Sequence, residues 1–133
     1  MDLTDQELEY LRGQRLGRLA TLPSDGYPQN NPVGFFLNEE LGTIDIGGHG
    51  MGRSRKFHSV QVNSKVSLVV DDIASVQPWQ VRGIEIRGDA EALTDQEPPM
   101  AGFSRELIRI RPRRIRAWGL DGNSFSSSAR TVK

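Results

Sequence analysis

Apolar positions along the chain fall into short alternating runs, with two helix-like stretches between them. Thr4 to Glu7 reads T-x-x-E, a capping box, and Leu8, Tyr10 and Leu11 follow at helical spacing up to Gly13. This predicts a short amphipathic first helix. Leu16 to Leu22 and Pro28 to Leu37 then flank Pro23-Ser24-Asp25-Gly26, the signature of a hairpin. Val33, Phe35 and Leu37 alternate as the buried face of a strand does. After the turn Asn38 to Gly42, Thr43 to Ile46 forms a third strand. Arg53 to Val62 reads as a helix with Phe57 and Val60 on one face.

The second half is strand-rich. Lys65 to Asp72 alternates through Val66, Leu68 and Val70, and Asp71 to Trp79 is expected to be a loop. Val81 to Leu93 is a long strand whose glycines, Gly83 and Gly88, mark a bulge or a barrel bend. Glu106 to Leu120 gives one or two strands, broken or bent at Pro112. Gly122 to Lys133 is serine-rich and is expected to be a flexible C-terminal tail. Hairpins dominate and no β-α-β repeat occurs. The expectation is therefore mainly β: an antiparallel split β-barrel of six to seven strands with flanking helices, one domain over 1–121.

Composition narrows the chemistry. The chain has 133 residues, enough for one core without staples. It has no cysteine, which excludes disulfides, thiolate metal sites and dithiol redox chemistry. A redox enzyme of this composition must take its electrons from a cofactor. Lysine plus arginine and aspartate plus glutamate each number 17, a balance that argues against a nucleic-acid partner. The N-terminus shows no basic region before an apolar run, and no stretch approaches the roughly 18 apolar residues of a membrane span. The expectation is a soluble cytoplasmic protein.

Gly47 to Lys56 reads GGHGMGRSRK, a glycine-rich turn between a strand and a helix. Free amides, a helix start and the cations Arg53, Arg55 and Lys56 suit an anion, with Ser54 adding a hydroxyl. The turn lacks the lysine of a P-loop, and its G-x-G-x-G spacing, without β-α-β units, is not a dinucleotide fingerprint. A flexible turn before a solvated basic helix is the plain alternative. Gln29-Asn30-Asn31-Pro32-Val33 can read a ring edge or simply finish a hairpin. Trp79 and Trp118 can wall a planar ring or plug a core. Five arginines within Arg109–Arg116 read mainly as an exposed strand face, with one or two free to reach a ligand. His49, in the glycine turn, is better placed to touch a ligand than His58. Neither histidine belongs to a metal or triad set, and no catalytic residue stands out.

Taken in order, Gly17-Arg18-Leu19-Ala20-Thr21-Leu22, Pro28 to Phe35, Gly42 to Gly48, Ser54 to Phe57, Val66 to Asp72, Gly83 to Gly88 and Arg111 to Ile115 with Trp118-Gly119-Leu120 resemble the pyridoxamine-phosphate-oxidase-like split-barrel superfamily. The similarity extends over roughly residues 4 to 121 and is greatest to its short deazaflavin-dependent oxidoreductases. The resemblance implies an FMN-binding-like fold and a homodimer with cofactor sites between subunits. It implies that Ser54, Arg55 and Lys56 hold a cofactor phosphate, with Gly48 and His49 in the adjoining turn. It lays Asn31, Pro32 and Val33 along the ring and brings Trp79, Arg113 and Trp118 from one or other subunit. It implies coenzyme F420, with FMN as the alternative, and hydride transfer to an unsaturated small molecule. Spare cations at Arg53, Arg109 and Arg116 would suit the anionic tail of the deazaflavin. A non-catalytic carrier of flavin, deazaflavin or haem is the remaining alternative. The chain lacks the longer C-terminal region of the larger pyridoxamine phosphate oxidases, which argues against that substrate.

Overall fold

The computed structural model describes residues 2–123 and 126–133. The capping box forms as its spacing requires. The Glu7 amide donates to Thr4 Oγ1 at 3.1 Å, and the Thr4 amide donates to Glu7 Oε1 at 2.9 Å. It starts helix α1, Asp5–Arg12, which buries Leu8, Tyr10 and Leu11 and stops at Gly13. Strands β1 (Leu16–Thr21), β2 (Gln29–Asn38) and β3 (Thr43–Ile46) follow, then a 3-10 turn, Met51–Arg53, and helix α2, Arg55–Val62. Strands β4 (Lys65–Ser75), β5 (Gln80–Leu93), β6 (Leu107–Trp118) and β7 (Ser127–Thr131) complete the chain.

All strand pairings are antiparallel. The order is β3-β2-β1-β4-β5-β6-β7, and β3 also pairs with β6, so six strands close into a barrel. Alternation fills it: Leu19, Leu68, Val70, Ile84, Ile86, Ile108, Ile110 and Ile115 are fully buried. From outside the barrel, α2 contributes Phe57 and Val60 to the same core. Among the described residues no helix is long and apolar enough to cross a membrane.

Three elements differ from expectation. Strand β4 continues to Ser75 instead of ending at Asp72, because β5 pairs with it as far as Gln80. Strand β6 runs unbroken through Pro112. The irregularity is absorbed by register: Arg87 pairs with Arg114 and Gly88 with Pro112, which leaves Arg113 as the extra residue of a bulge. Gly88 is required there, since a Cβ at this position would lie 2.4 Å from the Arg111 carbonyl oxygen. Within the segment expected to be a tail, Ser127–Thr131 pairs with Arg114–Trp118, while positions 124 and 125 lie outside the described residues. Strand β6 has β3 along its first half and β7 along its second on the same side, away from β5. The added strand is tied to α1, because Arg130 donates to both Glu7 carboxylate oxygens and to the Asp2 carbonyl.

Candidate functional site

The barrel positions the glycine turn. Strand β3 is buried on every residue and delivers the chain at Gly47 to the edge of β2. Ser54 then starts α2 as its N-cap. Its Oγ accepts from the Phe57 amide at 3.3 Å and donates to the Met51 carbonyl at 2.7 Å. That hydroxyl, expected to be free for a ligand, is therefore occupied within the chain.

The turn is gripped from above by the β5–β6 connection, residues 94–106. The Met51 amide donates to Ser104 Oγ at 3.1 Å, and the Gly52 amide to Glu106 Oε1 at 3.0 Å. Glu106 thus fills part of the amide cradle with an anion of the protein's own. A Cβ at Gly52 would lie 2.6 Å from Glu106 Oε1, so a larger residue there would displace this carboxylate. Ser104, Phe103 and Glu106 were invisible as site residues in the sequence, because more than fifty positions separate them from the turn. Among the described residues, the amides at 48–50 and at the first two positions of α2 keep no internal acceptor.

Beside these amides lies a surface pocket of about 210 Å3. It gathers Pro32 and Val33 from β2, Gly48, His49 and Met51 from the turn, and Ser54 and Lys56 at the start of α2. Lys56 is half-buried and has no carboxylate partner among the described residues, so its ammonium is available to an anion. Arg53 is likewise unpaired. Val33, Pro32 and Met51 supply the apolar side. A phosphate together with a planar ring fits this combination.

The remaining residues singled out in the sequence lie elsewhere on the chain. Asn31 is exposed on β2 beyond the pocket lining. Arg55 turns toward the β1–β2 hairpin, with its guanidinium 3.5 Å from Asp25. Trp79 is exposed at the tip of the β4–β5 hairpin. Arg113 donates to Asp89 at 2.8 Å. Trp118 lies across Gly83 and lines a separate outer depression with Val69, Glu85, Arg87 and Arg116. Arg109, expected as a spare cation, is committed to the buried Asp45 through bonds of 3.1 and 3.0 Å. Thr43 and Asn38 donate to the same carboxylate.

Outside the pocket, Tyr10, Asp72 and Arg82 form one bonded group. The Tyr10 hydroxyl donates to Asp72 at 2.8 Å, and Arg82 makes two bonds to that carboxylate. Burial, then the bond to Asp72, pushes the Tyr10 pKa far up, which makes it a poor acid and a lasting donor that pins α1 to the barrel.

Comparison with known proteins identifies the family and the fold. The family model described as pyridoxamine 5′-phosphate oxidase matches residues 3–119. A 5a,11a-dehydrotetracycline/5a,11a-dehydrooxytetracycline reductase of Streptomyces rimosus subsp. rimosus is 47% identical over 129 residues, covering 92% of this chain and 87% of that protein. The General Stress Protein 26 of Bacillus anthracis str. Sterne superposes with a TM-score of 0.69 at 19% identity, covering 99% of this chain and 100% of that one. An F420 reductase superposes with a TM-score of 0.58 at 24% identity, covering 77% and 89%. The two structural likenesses show the fold.

Proposed function

The chain belongs to the pyridoxamine 5′-phosphate oxidase family and is an oxidoreductase, and we propose that it reduces an activated carbon–carbon double bond of a small molecule with a reduced deazaflavin, coenzyme F420. The observation that carries the choice of a phosphorylated cofactor is Lys56, a half-buried ammonium without a counter-ion among the described residues, which shares its pocket with Pro32 and Val33. The reductive direction is supported by the Streptomyces relative, whose name describes reduction of dehydro compounds. When bound, the deazaflavin would supply a hydride. Lys56, Arg53 and the free amides of the turn would hold its phosphate, and Pro32 and Val33 would lie along its ring.

The protein is proposed to act as a homodimer. Ile73, Val76 and Trp79 are exposed apolar side chains around the tip of the β4–β5 hairpin, a surface that suits a second copy. A second copy could also bring Trp79, Arg113 or Trp118 to the pocket.

The test is a titration with F420 and, separately, with FMN, followed by the fluorescence of Trp79 and Trp118. Micromolar or tighter binding of the deazaflavin is expected. Lys56→Ala should weaken it by about 10- to 100-fold, the worth of one charge-assisted bond. Preference for FMN would move the chain to a flavin enzyme, and binding of neither would end the cofactor assignment.

A further inference from the structure

We infer that His49 is the proton donor that completes this reduction, acting through Nε2. The inference rests on the reading above, that the pocket serves reduction of a conjugated double bond. Such a reduction has a fixed inventory. A hydride brings two electrons and forms a C–H bond at the alkene carbon remote from a carbonyl. The π pair moves toward the carbonyl oxygen and leaves an enolate. A proton must then be delivered to that enolate, and the sum is one hydride and one proton added across the C=C bond.

The pocket lining offers few groups able to deliver that proton. Pro32, Val33, Gly48 and Met51 have no acidic side-chain proton. The Ser54 hydroxyl is committed to the Met51 carbonyl. Lys56 is assigned above to the anion of the cofactor. His49 remains.

The setting of His49 fixes which nitrogen can act. Its Nδ1 lies 3.0 Å from the Gly102 carbonyl oxygen. A carbonyl only accepts, so Nδ1 must carry a hydrogen whether the ring is neutral or charged. Every change of protonation therefore falls on Nε2, which takes no partner among the described residues. Phe103 meets the ring edge-on at 4.9 Å and fixes its tilt. Both restraints come from the same connection that grips the glycine turn. The ring is exposed, so solvent can restore the proton after each cycle. Lys56 shares its pocket, and the charged groups carried by the turn and by the connection above it are Arg53, Glu106, whose carboxylate is held by the Gly52 amide, and Arg105, which faces Asp95.

His49→Asn is the informative variant. Its side-chain amide can still donate to Gly102 from the position of Nδ1, but it has no proton to give at Nε2. Deazaflavin binding should stay within about threefold of the parent, while kcat on an enone falls about 100-fold. His58→Asn, on the exposed side of α2, is the control and should change neither. A cofactor-free readout is 15N NMR of the imidazoles, in which His49 should show the Nδ1–H tautomer. An Nε2–H tautomer, or a His49→Asn protein with unaltered kcat, overturns the proposal while leaving the cofactor reading standing. A wild-type protein that binds the cofactor and reduces no enone removes the reading, and the donor with it.

Discussion

Glu7 is 3% exposed, and burial alone would push its carboxyl toward the neutral form. Its bonds to Arg130 and to the Thr4 amide outweigh that cost and hold its pKa below the ordinary value of 4.5. Asp72 beside Arg82, and Asp89 beside Lys65 and Arg113, are lowered too, each chiefly by hydrogen bonds to its cations. For a depressed carboxylate, the stabilisation is complete above the unfolded value and is lost as pH falls through the folded one. Thermal unfolding between about pH 3 and 7 should therefore show an acid limb that is shallower in Glu7→Gln. At pH 7, Arg130→Leu should cost about 2 kcal/mol, less than for a fully buried pair because Arg130 is one-third exposed, and the loss should shrink toward pH 3. The capping box was legible in the sequence because Thr4 and Glu7 stand three apart. Arg130 was not, because 123 positions separate it from Glu7 and no local pattern spans that distance. The same holds for Asp45, whose claim on Arg109 reaches across 64 positions.

Strands with a buried face declared themselves. Val66, Leu68 and Val70 alternate, and β4 lies where they place it. The two glycines of β5 also carried information, although the reason for each needs its neighbour. Gly88→Ala should destabilise the fold by about 3 kcal/mol, or roughly 10 °C in Tm, because the rigid Arg111 carbonyl cannot move aside. Gly34→Ala, with nothing within 4 Å of a new Cβ, should change Tm very little. Differential scanning fluorimetry of the pair checks this. Strand β7 left no period-two signal, since its residues are exposed or, in Arg130, half-buried, and none is an apolar core residue. Its place is decided by the backbone of β6, which a composition reading cannot see.

At the scale of the whole molecule, the individual strands and the glycine turn were readable because each is local in sequence, whereas the closure of β3 on β6 joins residues 64 positions apart. The grouping of the candidate residues in space was only partly readable. Of the residues singled out, Pro32, Val33, Gly48, His49, Ser54 and Lys56 line one pocket, while Asn31, Arg55, Trp79, Arg113 and Trp118 lie outside it. Closure by β3 reaches only the first half of β6, and five residues near the C-terminus cover the second. Removing residues 124–133 would bare a row of amides and carbonyls, a template for the same row on another chain. The truncated protein should therefore grow in light scattering with concentration. Arg130→Leu, which keeps the row covered, should scatter as the parent does. Strand β7 thus exchanges the second half of β6 for an edge of its own, and Arg130 fastens that edge to the start of the chain through Glu7.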